Sequence, residues 1–327
     1  MTGGGGFLGS RIVRQLLDRG DEVVVVARSD YPELRAWGGQ TIRGDLADDG
    51  VAERAVEGCE AVVHAAAKAG VWGSAQDYYR SNVVATTRVL EACLTHDVER
   101  LVHTSTPSVT FDGADHENAG PDLPYASKFR THYAATKALA ESLVLEAPDL
   151  RTVALRPHLI WGPGDPFIFP GVIERHKAGK LARIGKGTNK VDITYVDNAA
   201  AAHVGALDAL GRADGPAGKA FFISDGEPVE MWPFLDELFV ALSLPRLKRR
   251  VPAGLALAVG GMLESTHRAF GIESEPRMTR FLAQQVSTSH WYDMEPARRE
   301  LGYEPLVTRE EAWRRTIEDL RARGLCG

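Results

Sequence analysis

The chain has 327 residues, 44% of them hydrophobic and 25% charged, a composition that makes a folded core without disulfide or metal staples. Its 38 Lys and Arg against 44 Asp and Glu leave a net charge of −6, which gives no field to gather nucleic acid or anionic lipid and excludes a general nucleic-acid binder. Cys59, Cys93 and Cys326 form no Cys-x-x-Cys pair, and no secretory leader is recognised, so a cytoplasmic protein without a transmembrane segment is expected.

In chain order, Gly3, Gly6 and Gly9 stand at G-x-x-G-x-x-G spacing and open a helix that runs to about Arg19, with Gly20 as its C-terminal glycine. The apolar positions Leu8, Ile12, Val13, Leu16 and Leu17 recur at helical spacing. A sheet of this kind opens on an apolar strand ahead of the glycine turn. Met1-Thr2 leaves no room for one, so the first strand is expected to be truncated. Short β-branched runs follow at Glu22 to Ala27, Gln40 to Arg43, Ala61 to Ala65, Arg100 to Ser105 and Arg151 to Arg156, separated by helical stretches. That alternation predicts an α/β fold with a doubly wound parallel sheet. After Pro157 the rhythm breaks into Gly- and Pro-rich turns, and Val191 to Tyr195 and Ala220 to Ser224 read as strands that rejoin the first sheet. The expected organisation is a dinucleotide-binding domain over 1–156 plus about 191–223, interleaved with a smaller C-terminal substrate domain over 157–190 plus 224–327. The stretch Val251 to Phe270 reads as a lid, or as a contact for a membrane surface or a partner, and the preceding Arg246 to Arg250 as a solvated face.

The glycine turn lets the backbone approach a pyrophosphate at the positive end of the helix. The next strand ends in Ala27-Arg28-Ser29, where an NAD site carries an acid for the ribose 2′-hydroxyl; Arg28 instead suits a 2′-phosphate and favours NADP(H) over NAD(H), with Asp30 close enough to blur the preference. Asp45, in Gly44-Asp45-Leu46, either accepts from an adenine amino group or caps the following turn. Tyr133 and Lys137 lie four apart on one helical face. Thr104-Ser105-Thr106 closes a buried strand at the edge where doubly wound sheets bind ligands. Tyr125 and Lys128, at a spacing of three in a Pro-containing loop, are not assigned. The ten histidines show no metal-ligand spacing, and no metal is expected.

The ordered set Thr2 to Gly9, Gly44-Asp45-Leu46, His64-Ala65-Ala66-Ala67, Asn82-Val83, Ser105-Thr106, Tyr133/Lys137 and Leu155-Arg156-Pro157 resembles the extended short-chain dehydrogenases/reductases over nearly the whole chain, and so implies a Rossmann-type fold. Ile160 to Asp165 and Tyr195 to Asn198 are similar to the 3β-hydroxysteroid dehydrogenase-like branch. Ala67 to Ser74, Thr104 to Val109 and His290 to Pro296 are similar to the bacterial 2-alkyl-3-oxoalkanoate reductases of long-chain olefin biosynthesis.

The resemblance implies that Gly3, Gly6, Phe7, Leu8, Gly9, Arg28, Asp45, Leu46, Ala65, Ala66, Ala67 and Pro157 contact the cofactor. It implies that Tyr133 gives a proton to a substrate carbonyl, that Lys137 lowers the phenol pKa and binds the nicotinamide ribose, and that Thr106 or the adjacent Ser105 holds the substrate oxygen. Asn82 either fixes backbone near the site or makes a purely structural hydrogen bond. Lys68 is the candidate for a substrate carboxylate, and Trp72, Trp161 and His158 for further substrate contacts. The expected reaction is NADPH-dependent reduction of the 3-keto group of a long-chain 2-alkyl-3-oxoalkanoic acid. The alternatives are a 3β-hydroxysteroid or sterol dehydrogenase and a non-catalytic NADP(H)-binding sensor or scaffold. A sugar-nucleotide epimerase is disfavoured because the stretch 167–172, Phe167 to Val172, is apolar where a diphosphate sugar needs polar contacts. The expected partners are a hydrophobic ketone or hydroxy acid, a second copy of the chain through the helices around Asn82 and Tyr133, and other enzymes of the same pathway.

Overall fold

The computed structural model describes residues 1–327. Helix α1 (Phe7–Arg19) buries Ile12, Val13 and Leu16 along one stripe. It ends because Gly20 adopts φ +96°, a left-handed turn that returns its N–H to Leu17 O.

Strands β1 (Val24–Ala27), β2 (Gln40–Arg43), β3 (Ala61–His64), β4 (Arg100–Thr104), β5 (Arg151–Pro157) and β6 (Lys219–Ile223) all run parallel. Away from the edge strand Gln40–Arg43, the side chains are buried on both faces of the sheet, which is why the inner runs are largely apolar rather than alternating. Val25, Val63, Val102 and Val153 join α1 on one face; Val26, Val62 and Leu101 join Val89 and Cys93 on the other. The slot of the strand expected to be truncated is bridged by Met1 and Thr2. Val26 N–H donates to Met1 O, Thr2 N–H to Val63 O and Ala65 N–H to Thr2 O, so β1 and β3 remain in one sheet.

Lys219–Ile223 rejoins the sheet beside β5, as expected of Ala220 to Ser224. Val191 to Tyr195 does not. Lys190–Val191 pairs with Val229–Glu230 and His290, while Thr194–Tyr195 pairs with Ile160–Trp161. The buried carboxylate of Asp192 interrupts the run and accepts from Tyr292 N–H, and the Thr194 hydroxyl is tied to His158 O and Ile223 O beyond the sheet edge. A third apolar cluster, around Trp161, Phe169, Trp232, Phe234 and Leu238, packs outside the sheet. Ala253–Ala269 forms a 17-residue helix whose following turn returns to the loop after β3, where Trp72 Nε1 donates to Ile272 O. No helix is long and apolar enough to cross a membrane.

Candidate active site

The turn ahead of α1 is shaped by contacts that only hydrogen permits. Gly3 sits at φ +69°, where a Cβ would meet Ala66 N at 2.8 Å; a Cβ on Gly9 would lie 2.0 Å from Gly3 O. No side chain caps α1 and no acid occupies its first turn, so the N–H groups of the first turn, at Phe7 and Leu8, face outward with the positive end of the helix dipole. Beside this turn a cavity of about 270 Å³ gathers Gly3, Gly6, Arg28, Asp45, Leu46, Ala65, Ala66 and Ala67 along the ends of β1 to β3. Turn and cavity together fit the pyrophosphate and adenosine of a dinucleotide.

Two charged residues there resolve differently. Arg28 forms no ion pair and lines the cavity, whereas Asp30 is held by Arg35 and lies outside it. Asp45 Oδ1 accepts from Ala47 N–H at 3.0 Å, the capping alternative, and still faces the cavity. Tyr31, unpredicted, lies across the turn, its ring 2.2 Å from where a Gly5 Cβ would stand.

Helix α2 (His132–Leu145) starts at Thr131, whose Oγ1 accepts from Ala134 N–H, and it carries Tyr133 and Lys137 one turn apart. Burial pushes the Tyr133 phenol above its ordinary pKa, and the nearby Thr106 hydroxyl pulls it back. Ser105, the neighbouring candidate, has its hydroxyl buried without a partner. The chain is extended at Thr106, so adjacent side chains point to opposite sides, and the Thr106 hydroxyl accepts from Ser108 N–H at 3.2 Å. The Lys137 amine is buried, donates to Thr104 O at 2.6 Å and lies 2.9 Å from His103 Nε2. Burial lowers its pKa to about 7, against the opposing pull of Glu141.

Asn82 lies in a π-helical turn over Tyr79–Val84. Its Oδ1 accepts from Lys68 N–H at 2.7 Å, and its Nδ2 donates to Lys68 O and to the Thr136 hydroxyl. The His64 ring bridges Thr2 and Thr86, and Thr86 donates to Asn82 O. One buried chain of hydrogen bonds therefore runs from the glycine turn to the helix of Tyr133.

Lys68 borders both the nucleotide cavity and a second one of about 890 Å³, which Trp72 also lines. The Lys68 ammonium pairs with Asp77 at 3.0 Å. The far wall comes from His267, Arg268 and Phe281, nearly two hundred residues on, and the near wall includes Phe129 and Arg130 just ahead of α2. None of these was signalled by spacing. Two expectations are corrected. Trp161 is 1% exposed and packs with Phe169, Tyr195 and Phe234 in the core, away from either cavity. His158, after Pro157 at the end of β5, lines neither cavity: its Nε2 lies 2.5 Å from His290 Nδ1 in a buried pair.

The model of the 3-beta hydroxysteroid dehydrogenase/isomerase family matches residues 1–252. A 2-alkyl-3-oxoalkanoate reductase of Stenotrophomonas maltophilia is 49% identical over 96% of this chain and 97% of its own length. The human sterol-4-alpha-carboxylate 3-dehydrogenase (decarboxylating) is 36% identical over 98% of this chain and 87% of its own. Among solved structures, gox2253 superposes with a TM-score of 0.82 at 24% identity, covering 100% of this chain and 98% of that one. MoeE5 in complex with UDP-glucuronic acid and NAD reaches 0.71 at 26% identity, covering 98% of each chain.

Proposed function

The chain belongs to the 3-beta hydroxysteroid dehydrogenase/isomerase family and is an NAD(P)-dependent oxidoreductase of the short-chain dehydrogenase/reductase type, and on that premise we propose that it reduces the 3-keto group of a long-chain 2-alkyl-3-oxoalkanoic acid with NADPH, in olefin biosynthesis. The observation that carries the reading is Tyr133 one helical turn from the buried Lys137 amine, which is tied to Thr104 O at the strand end that leads into Ser105 and Thr106.

A bound nicotinamide supplies the hydride to the carbonyl carbon. Tyr133 donates its proton to the carbonyl oxygen, which would otherwise carry the full charge of an alkoxide, and regains a proton from solvent. Thr106, whose hydroxyl lies near the phenol, holds the same oxygen. Lys137 places a positive charge near the phenolate that remains. Asn82 keeps the Lys68 backbone in place, Lys68 meets the substrate carboxylate, and Trp72 meets the alkyl chain. His158 and Trp161 act behind the site rather than in it. The free Arg28 supports NADPH over NADH, since the nearest acid, Asp30, is already paired with Arg35. The homodimer is proposed through the helices around Asn82 and Tyr133 on the family resemblance alone.

The 36% identity to a sterol dehydrogenase supports a second reading on the same site, a hydroxysteroid or sterol substrate. NADPH oxidation by the purified protein, with a 2-alkyl-3-oxo acid and a 3-oxosteroid in parallel, separates the two. Turnover of the acid alone is expected. Turnover of the steroid alone transfers the assignment to the second reading, and tight NADPH binding with neither ketone reduced identifies a non-catalytic sensor.

A further inference from the structure

His103 lies in the middle of the sheet, fully buried, in register with His64 on the neighbouring strand. Sequence spacing gives it no role. Its Nε2 is 2.9 Å from the Lys137 amine, and its Nδ1 has no partner at all. A buried N–H or ring nitrogen left unpaired costs about 1–3 kcal/mol, so a neutral apolar residue of the same size would suit this core position better on stability alone. The ring is therefore held for what its other nitrogen does.

The geometry around Lys137 defines that task. An ammonium group has three N–H donors and no acceptor. Two are committed, one to Thr104 O at 2.6 Å and one to His103 Nε2, and the third is left for a ligand. Facing a charged amine, Nε2 must accept, which places the imidazole proton on the unpartnered Nδ1. When the amine is neutral the imidazole proton can move to Nε2 and donate to it. The pair therefore keeps a hydrogen bond in both charge states, but the charge-assisted one from the ammonium is the stronger, so His103 favours the charged lysine.

We propose that His103 is a positioning residue for Lys137: it anchors the amine at the end of β4, leaves one N–H uncommitted, and sets how readily the amine gives up its proton. The role of Lys137 itself rests on the reductase reading above. The groups facing the pair are few. Glu141 lies one turn along α2 but is tied to Arg156; His64 sits 5.2 Å from His103, ring to ring; His203 approaches from the other side through Thr104; the Met1 amine lies beyond His64; and the Tyr133 phenol is the neighbour on the same helical face. His64 and His203 are buried and kept neutral, and His103 is itself driven well below the ordinary histidine range by burial, so within the pair it is the lysine that titrates near neutrality.

The test compares His103→Leu, which removes the acceptor, with His103→Gln, which restores one. Two pH profiles are recorded between pH 5.5 and 9: the NADPH dissociation constant by fluorescence, and kcat for ketone reduction. Loss of the acceptor disfavours the charged amine, so in H103L the alkaline limb of both profiles moves down by about one pH unit. That is a roughly tenfold loss at pH 8 against only about twofold at pH 6. H103Q returns the limb toward the wild-type position. A uniform loss across all pH values, or an H103L profile with the wild-type midpoint, overturns the proposal and leaves His103 a packing residue. Should the protein reduce neither ketone, the reductase reading fails while the binding profile still decides the His103 question.

Discussion

Replacing Tyr133 with Phe removes one oxygen and leaves the ring in its buried place, so the variant isolates proton donation. Ketone reduction in Y133F is expected to fall by about 10²–10⁴-fold, with the NADPH dissociation constant within a few-fold of wild type, as measured by stopped-flow and fluorescence titration. Unchanged turnover would remove the mechanism. The choice between the two hydroxyls is equally concrete: T106V should cost about tenfold or more in kcat, and S105A little, because the Thr106 hydroxyl lies near the phenol and the Ser105 hydroxyl is buried without a partner. At the cofactor end, Arg28→Ala should weaken NADPH by about 10–100-fold, the worth of a charge-assisted hydrogen bond to phosphate, and leave NADH nearly unchanged. Tyr133, Lys137 and the glycines were legible in the sequence because their chemistry depends on local spacing along one helix or one turn. Trp161 and His158 were misread because an aromatic or imidazole at the end of a strand faces either the ligand or the core, and spacing carries no sign for that choice. His103 and Arg268 were invisible for a different reason: their partners lie 34 residues away in one case, at Lys137, and 196 in the other, at Trp72.

At the scale of elements, the joint between α2 and β5 is a bidentate ion pair, Arg156 Nε and Nη2 to the two Glu141 carboxylate oxygens at 3.1 and 2.6 Å, with both side chains buried and the guanidinium stacked over Phe222. It holds the helix of Tyr133 and Lys137 against the strand that ends at Pro157. Glu141→Leu leaves the guanidinium charge buried and unpaired, and should destabilise the fold by about 3–5 kcal/mol in urea unfolding. The double variant Arg156→Met/Glu141→Leu should recover much of that loss, since no lone charge remains; equal or greater loss in the double variant would show that the pair contributes net stability. Gln40–Arg43, exposed at the sheet edge, was legible from its place in the β-α alternation, whereas the other four of the five strands could be read from β-branched runs because a parallel strand buried on both faces is largely apolar. Val191 to Tyr195 has the same composition but carries Asp192, and one buried carboxylate bound to Tyr292 N–H was enough to turn the run into two short pairings outside the sheet. The helix Ala253–Ala269 was legible as apolar, and its contact with the Trp72 loop was not, because His267 and Arg268 meet the Trp72 ring across nearly two hundred residues of chain.

The molecule as a whole buries an unusual number of titratable groups, and their signs predict its response to acid. Burial holds His64 down at about 3 and His203 at about 4, and drives His103, His158 and His290 below the ordinary value as well. A folded-state pKa below the unfolded value of about 6.5 means that the unfolded chain takes up protons first as pH falls, so these five groups leave stability untouched above pH 6.5 and remove it progressively below. Two carboxylates act the other way. Burial raises Asp192 to about 7 and Asp225 to about 6, so their contribution is greatest near pH 4 and is lost as pH rises through 6 to 7. Between pH 6.5 and 4 the histidines outnumber the aspartates by three. At up to about 1.4 kcal/mol per group per pH unit, the net slope reaches roughly 4 kcal/mol per unit, enough to exhaust the 5–15 kcal/mol of an ordinary domain within a few units. The melting temperature should therefore collapse between pH 6 and 4, whereas above pH 7 the buried Lys137 amine, neutral in the fold from about 7 and in the unfolded chain only from about 10.4, makes it rise modestly. Calorimetry across that range, with proton uptake on unfolding taken from paired buffers, measures the slope directly. His203→Gln, which keeps a polar side chain opposite Thr104, should lower the uptake near pH 5 by close to one proton; a wild-type melting temperature that stays level down to pH 4 would show that the buried imidazoles are charged or rehydrated in the folded state.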